Sequence, residues 1–364
     1  MGTKIFDDYF KGKKIIVSGN TGFKGSWLSL FLSKLGAEVY GVSSLNTSID
    51  ERENEFKLDN NCVFKQYDVD VRDYEGLFKC IEDVEPDYIF HLAARAITLE
   101  SYKMPLETIG TNVMGTSNIL EVVRIRNKPC KVVVITSDKC YENKNWIWGY
   151  RETDTLAGSD PYSASKSMAE LVCKTYFDSF FKNSEEIKMA TCRAGNVIGG
   201  GDWNPHRIVP DCIRSWKNNK PLIIRNPEAV RPWNYILDTL WGYILTAINI
   251  ENEAVNGQSF NFGPNIKDEI TVLELVDELW KSWGDDKFEP YQIQKSIEED
   301  SKEHMLLKLN SEKAYRYLGW SSETGIRSSL EQTMMWYKHY VDSPETIAEF
   351  SAQQIDDYLL MIEK

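Results

Sequence analysis

The residues best equipped for chemistry lie in one stretch, VVVITSDKCYENKNWIWGYRETDTLAGSDPYSASK, residues 132–166. Ser137, Asp138 and Lys139 follow an apolar β-branched run, and Tyr162 and Lys166 stand four residues apart further on. On a helix that spacing puts both side chains on one face. An ammonium near a phenol favours the phenolate, so Tyr162 can take the proton of an alcohol near neutral pH while Ser137 hydrogen-bonds the same hydroxyl. This is equipment for oxidising an alcohol by hydride transfer to a nicotinamide. Asp138 and Lys139 exceed what oxidation requires. They suit an enzyme that then eliminates water, one group taking the proton beside the new ketone and the other protonating the departing hydroxyl. A turn with a solvated ion pair is the simpler reading of those two, as surface placement is of an isolated Tyr-x-x-x-Lys.

A hydride needs an acceptor, and SGNTGFKGSW, residues 18–27, offers a place for one. Gly19, Gly22 and Gly25 let the backbone approach a pyrophosphate, and the helix that follows presents unpaired N–H groups and the positive end of its dipole. Asn20, Thr21, Phe23 and Lys24 complete this cofactor loop. Strand, glycine loop, helix and second strand occur in the order a dinucleotide site needs, which a merely tight turn does not require. The second strand runs into GVSSLN, without the acid that would bind the adenosine ribose and without an Arg for a 2′-phosphate. NAD is expected over NADP, with Lys24 as the feature pointing the other way. Asp70 and Val71 close the third strand; Asp70 is placed to accept from the adenine amino group, to N-cap the next helix, or both.

These residues need elements to hold them. Apolar runs at 14–19, 38–43, 62–69, 87–93 and 131–137 alternate with helical patterns, including Tyr74 to about Val84 and about Pro105 to Arg126. Alternation of this kind means βαβ units: an α/β, Rossmann-type doubly wound parallel sheet with ligands outside the carboxyl ends of the strands. The helix carrying Trp27, Leu28, Phe31 and Leu35 is expected to stop at Gly36. Past residue 193 Pro and Gly become frequent and strands isolated. Residues 1–193 are therefore read as mainly the dinucleotide-binding domain with the Tyr/Lys pair. Residues 194–340 are read as mainly a smaller, discontinuous substrate-binding lobe, some of whose strands return to the sheet. Residues 341–364 form a helical tail, with Ser343 as N-cap and Pro344 at its first position. Ile347, Phe350, Tyr358, Leu359 and Ile362 on one face would pack on the chain itself, or form a subunit contact.

Composition narrows the setting. With 364 residues, 42% hydrophobic and 27% charged, the chain can bury a large core. A net charge of −13 without a long Lys/Arg cluster argues against nucleic acid, so an anionic ligand must be met by a local pocket. Seven cysteines stand singly, without CxxC, as in a reducing cytoplasm. No HExxH or Cys/His cluster suggests a metal. Neither signal peptide nor membrane span is evident. A cytoplasmic protein without a membrane partner is expected.

The GxxGxxG form of the glycine loop is typical of short-chain dehydrogenase/reductases. GNTGFKGSWLSLFLSKLGAEVYG, TNVMGT, ITSDKCYENKNWIWGYRETD, DPYSASK, RAGNVIGGGDW, IIRNP, RPW and NFGP together resemble the CDP-glucose 4,6-dehydratases, within the extended short-chain dehydrogenase/reductase superfamily. The likeness runs in order from residue 14 to about 340. TSDKCY and GNVIGGGDW separate this family from dTDP- and GDP-sugar dehydratases, which usually carry Asp-Glu at the positions of Asp138 and Lys139. The resemblance implies NAD as cofactor and a nucleotide-sugar substrate. It makes Tyr162 the base at the C4 hydroxyl, Lys166 its electrostatic partner and ribose ligand, and Ser137 a positioner. It makes Asp138 the acid for the C6 hydroxyl and Lys139 the base for the C5 proton. Leu92, Ala93, Ala94 and Thr111 would line the NAD site. Asn196, Arg207, Arg225 and Arg231 would face the nucleotide sugar, Arg231 at the pyrophosphate because a guanidinium fork matches phosphate oxygens. HLAARAITLESY departs from the family's approximate HxAAQPLVRxSY, placing Arg95 at the border of the sugar and leaving a heptose or modified hexose open. A homo-oligomer, dimer or tetramer, is expected. An epimerase of the same superfamily and a non-catalytic NAD-binding scaffold are the alternatives.

Overall fold

Each apolar run predicted as a strand becomes one, and all of them lie parallel. The computed structural model describes residues 9–44, 62–284, 287–294 and 306–363. Its strands are β1 (Lys14–Ser18), β2 (Glu38–Ser43), β3 (Lys65–Asp68), β4 (Tyr88–His91), β5 (Cys130–Ile135), β6 (Ile187–Ala194), β7 (Val197–Ile198), β8 (Leu222–Ile224), β9 (Asn234–Tyr235), β10 (Ser259–Phe262) and β11 (Tyr291–Ile293). Seven form one sheet in the order β10-β6-β5-β4-β1-β2-β3, and β7–β9 and β8–β11 form two small pairs. The connection reverses between β1 and β4, which opens a crevice at their carboxyl ends. The ladders of β4 and β5 end two residues before the predicted run does in each case. Leu92, Ala93 and Ser137 therefore follow the strand ends at that side of the sheet, while the Thr136 N–H still donates to Cys192 O on β6 at 2.9 Å.

Both sheet faces are covered, which is why its strands read as continuous apolar runs rather than alternating ones. Ile15, Val17, Val133 and Ile135 enter one core with Trp27, Phe31 and Trp241, whereas Ile16, Val132 and Val134 enter the other with Leu77, Ile119 and Leu120. Burying each such aliphatic side chain contributes about 1.5–3 kcal/mol. Around the sheet run α1 (Phe23–Lys34), α2 (Tyr74–Val84), α3 (Thr98–Lys103) and α4 (Pro105–Ile109), the last continuing through a π turn at Gly110–Met114 into α5 (Gly115–Arg126). Next comes α6 (Pro161–Tyr176). Gly36 follows α1 with φ +83°, a left-handed position suited to glycine.

The second half supplies α7 (Ile208–Lys217), α8 (Ile236–Asn249), α9 (Val272–Trp283), α10 (Glu312–Leu318), α11 (Ile326–Asp342) and α12 (Ile347–Ile362). Ser343 stands at the N-cap position of the 3-10 turn Pro344–Thr346 that runs into α12, with Pro344 at the first position as expected; its side chain makes no capping hydrogen bond, and its N–H donates to His339 O at 2.7 Å and so finishes α11. The apolar face of α12 packs on its own chain through buried Ile347, Ile355 and Tyr358. Among the described residues no helix is long and apolar enough to cross a membrane.

Candidate active site

Where β5 ends, Ser137 enters a short 3-10 turn, Asp138–Cys140. Its hydroxyl donates to Asp138 Oδ1 at 2.9 Å and accepts from the Lys139 N–H at 3.2 Å. Asp138 is buried, and its Oδ2 has no hydrogen-bond partner. Gly195 makes the room: a Cβ there would stand 3.2 Å from that oxygen and 2.7 Å from the Pro232 ring. Burial raises the Asp138 carboxyl above its ordinary range, against the pull of Lys139, Ser137 and Lys24. A buried carboxyl favouring its protonated form, with an orphaned oxygen, is equipped to donate a proton. Lys139 Nζ donates to Thr98 Oγ1 at 3.1 Å and so points across to α3.

Asp160 caps α6, accepting from the Ser163 N–H at 2.9 Å, and Pro161 takes the first helical position. One turn in, Tyr162 is buried and Lys166 is buried beneath it. Burial pushes the phenol up to about 12, against a hydrogen bond with Ser137 and the nearby Arg207. The Lys166 ammonium, expected to favour the Tyr162 phenolate, donates to Ile135 O, the last carbonyl of β5, at 3.1 Å. Burial lowers Lys166 to about 8, with Glu170, one turn along α6, acting in the opposite direction.

The crevice fits a dinucleotide. Gly19 adopts φ +73° and passes so near β4 that a Cβ would meet the Ala93 backbone at 2.8 Å; a Cβ at Gly25 would meet Gly19 O at 2.0 Å. Gly22 caps α1 without a side-chain acceptor, and no acid occupies the first turn, so the helix N–H groups are left for an anion. Leu92, Ala93 and Ala94 follow β4, half-buried, with Thr111 on the π turn. Asn20 is engaged in tying strand ends together, accepting from Ser43 Oγ at 2.8 Å and donating to Gln66 Oε1 at 2.7 Å. Thr21 N–H reaches Ser43 Oγ at 3.5 Å.

Three further expectations are revised. Asp70 does not cap α2; Asp73 does, accepting from the Gly76 N–H at 3.1 Å, while Asp70 holds the Arg72 N–H at 2.8 Å and its guanidinium. Val71 is buried against Gly115. Lys24 does not lie by the end of β2, where a 2′-phosphate would be read. Its charged neighbours are Arg207, Asp138, Lys166 and Asp202. The Arg95 guanidinium turns to Met104 Sδ at 3.4 Å and Glu100 at 3.9 Å, leaving its backbone to Asn112.

From the second half, Arg207 enters the site beside Tyr162, held by Asp202 at 3.0 Å. Asn196 O accepts from the Asn234 N–H at 2.8 Å and so joins β7 to β9. Arg231, half-buried, precedes Pro232, the residue that backs Gly195; Arg225 is exposed just beyond β8. Sequence reasoning missed three supporting residues. Asn112 is buried between the Arg95 backbone and Ser165 Oγ, and its signal was the TNVMGT segment. Glu170 lies one turn past Lys166. Thr98, the partner of Lys139, carried no signal. Among the described residues no three His, Cys, Asp or Glu side chains gather as a metal site would require.

The chain is similar to known proteins in sequence and in fold. The family model of GDP-mannose 4,6 dehydratase matches residues 16–333. The CDP-glucose 4,6-dehydratase of Salmonella typhimurium is 40% identical over 98% of both chains. The dTDP-glucose 4,6-dehydratase of Bacillus anthracis, solved in complex with NAD, superposes with a TM-score of 0.74 over 91% of this chain and 98% of that one, at 20% identity. The UDP-glucose 4-epimerase of Thermotoga maritima, solved with UDP-glucose, gives 0.75 over 90% and 99%, at 23% identity. These two solved structures share the fold. The matched model runs from within β1 to within α11, taking in the glycine loop, the β5 turn, the Tyr/Lys helix and the Arg207 segment, and with it the chain belongs to the GDP-mannose 4,6 dehydratase family.

Proposed function

We propose that this protein is an NAD-dependent nucleotide-sugar 4,6-dehydratase acting on CDP-glucose, a hydro-lyase that forms the 4-keto-6-deoxy sugar. The observation that carries the reading is the buried corner at the end of β5, where an oxidation pair, Ser137 and Tyr162, adjoins an elimination pair, Asp138 and Lys139. The 40% identity to a CDP-glucose 4,6-dehydratase favours cytidine as the nucleotide. Bound along the glycine loop, NAD would supply the hydride acceptor for C4 and the hydride donor for C6. The loop from Gly19 to Gly25, through its backbone N–H groups and without the Lys24 side chain, Asp70 with Val71, the residues 92–94 and Thr111 would hold it. Residues 1–193 mainly serve that cofactor and 194–340 the nucleotide sugar.

Ser137 orients the C4 hydroxyl and Tyr162, in the phenolate form that the Ser137 hydrogen bond and Arg207 favour against burial, takes its proton; the ketone so formed acidifies C5–H. Lys139 then accepts the C5 proton, and Asp138, whose carboxyl burial raises above its ordinary range, gives a proton to the departing C6 hydroxyl, which leaves as water; Lys139 returns its proton to C5 as the hydride reaches C6. Arg207, Arg231, Asn196 and Arg225 meet the nucleotide sugar. An epimerase needs the first step alone and gives no work to the orphaned Asp138 Oδ2. The test is incubation of the purified protein with NAD and, separately, CDP-, dTDP-, UDP- and GDP-hexoses, with products weighed. The expected product has lost one water, from CDP-glucose preferentially. A product of unchanged mass with inverted C4 would replace this reading by the epimerase.

A further inference from the structure

Lys24 occupies a place that a cofactor loop does not need. It lies three residues before Trp27 on α1, so the two share a face. That face is turned toward the second half of the chain: Trp27 Nε1 donates to Gly200 O at 2.8 Å, and a Cβ on Gly199 would stand 3.3 Å from the Phe23 ring. The GGGD segment, residues 199–202, is thereby pressed on the first turns of α1, and its Asp202 carries Arg207. Lys24 thus stands on the helix face that meets the segment carrying Asp202 and Arg207, and Arg207, Asp138, Lys166 and Asp202 are the charges that act on it. In a chain of net charge −13, Lys24, Lys139, Lys166 and Arg207 against Asp138 and Asp202 make a local excess of positive charge. The cofactor pyrophosphate is served by the backbone N–H groups of the same helix.

We propose that Lys24 is a substrate-binding residue, its ammonium meeting the diphosphate-sugar portion of the nucleotide sugar opposite Arg207 rather than a phosphate of the cofactor. The proposal rests on the nucleotide-sugar reading given above. A consequence separates it from a structural role. Burial first, then Arg207 and Lys166, lower Lys24 to about 7, against Asp138 and Asp202. An arriving diphosphate favours the charged ammonium. Substrate binding above pH 7 therefore takes up a proton at Lys24.

The experiment is calorimetric titration of the NAD-loaded enzyme at pH 8 in two buffers of different ionisation enthalpy, using CDP-glucose or whichever of the four nucleotide sugars the wild type turns over. The wild type is expected to take up most of a proton. Lys24→Met should take up clearly less, retaining only the part that Lys166, near 8, contributes, and should bind the sugar nucleotide roughly tenfold to hundredfold more weakly, as loss of a charged hydrogen bond implies. Lys24→Arg should restore affinity with the same reduced proton uptake, because guanidinium stays charged throughout. Titration of NAD should be the same in all three. Unchanged sugar-nucleotide affinity in Lys24→Met, or proton uptake that accompanies NAD instead, overturns the proposal while leaving the dehydratase reading intact. A wild type that turns over none of the four removes both.

Discussion

At the β5 turn the two halves of the proposed reaction fall to different side chains on different elements, so they can be separated. Tyr162 begins α6, whereas Lys139 sits on the turn and reaches toward Thr98. In Lys139→Met, oxidation at C4 should proceed while water cannot leave, so reduced nicotinamide accumulates in a single turnover with substrate. In Tyr162→Phe, oxidation itself should slow by about a hundredfold or more, the usual contribution of a positioned base, and no reduced nicotinamide should appear. Absorbance in the reduced-nicotinamide band reads both. Dehydration by Lys139→Met at the wild-type rate would remove that lysine from the elimination step.

The catalytic helix is held by a charge that the motif does not mention. Glu170 accepts from Thr136 on the β5 end, from Thr191 Oγ1 at 2.9 Å and from Arg193 at 2.7 Å, and the Glu170–Arg193 pair is nearly inaccessible to water. Burial opposes the Glu170 charge, but Arg193 and the two threonine hydroxyls prevail and hold the carboxyl below its usual range. The same charge opposes the lowering of Lys166. With Lys166 near 8 instead of 10.5, its ammonium is lost as pH rises through about 8, and NAD affinity should fall above that pH. Fold stability moves the other way: between about 8 and 10.5 the folded chain binds fewer protons at this site than the unfolded chain, so this group's contribution rises with pH. Glu170→Gln should move the alkaline limb of NAD affinity to lower pH and destabilise the fold by about 3–5 kcal/mol, the cost of leaving one member of a buried pair. Adding Arg193→Met should recover part of that stability. An unmoved limb would confine Glu170 to a structural role. The other charged or titratable groups around Lys166 are Lys24 on α1, His91 on β4, Cys140 on the turn and Cys173 on α6.

The tail is tied to the rest of the chain by buried polar contacts as well as apolar packing. Asp238, buried on α8, accepts from Ser322 Oγ at 3.0 Å, from the Thr324 N–H at 3.1 Å and from Tyr358 OH at 2.9 Å on α12. Trp336 on α11 donates to Ser351 Oγ on α12 at 2.8 Å, while its ring fills the place where a Cβ on Gly200 would stand. Tail, α11 and the GGGD segment are therefore one packed unit. Tyr358→Phe should lower stability by about 1.5–3 kcal/mol, the loss of a hydrogen bond to a charged acceptor, measured by urea unfolding. It should leave single-turnover oxidation at C4 unchanged. A larger fall in oxidation than in stability would mean that the tail shapes the site.

Strand positions, glycine loop, the Tyr/Lys helix and the boundaries of α2 and of the long helix ending at Arg126 were legible because local rules govern them: apolar periodicity, punctuation by Gly and Pro, and side-chain spacing within a turn. Their signals come from residues a few positions apart. Direction and partnership of side chains were another matter. Lys24 was read as a cofactor residue, yet it faces the second half of the chain because Trp27 bonds Gly200, 173 residues away. Asp73, not Asp70, caps α2, since the backbone leaves β3 so that Arg72 reaches back to Asp70. Ser343 closes one helix and opens the turn into the next, without lending its side chain as a cap. Lys166 donates to the Ile135 carbonyl, 31 residues away. Such choices depend on which distant surface arrives to bury a group, and burial decides both where a charged side chain points and whether it keeps its charge.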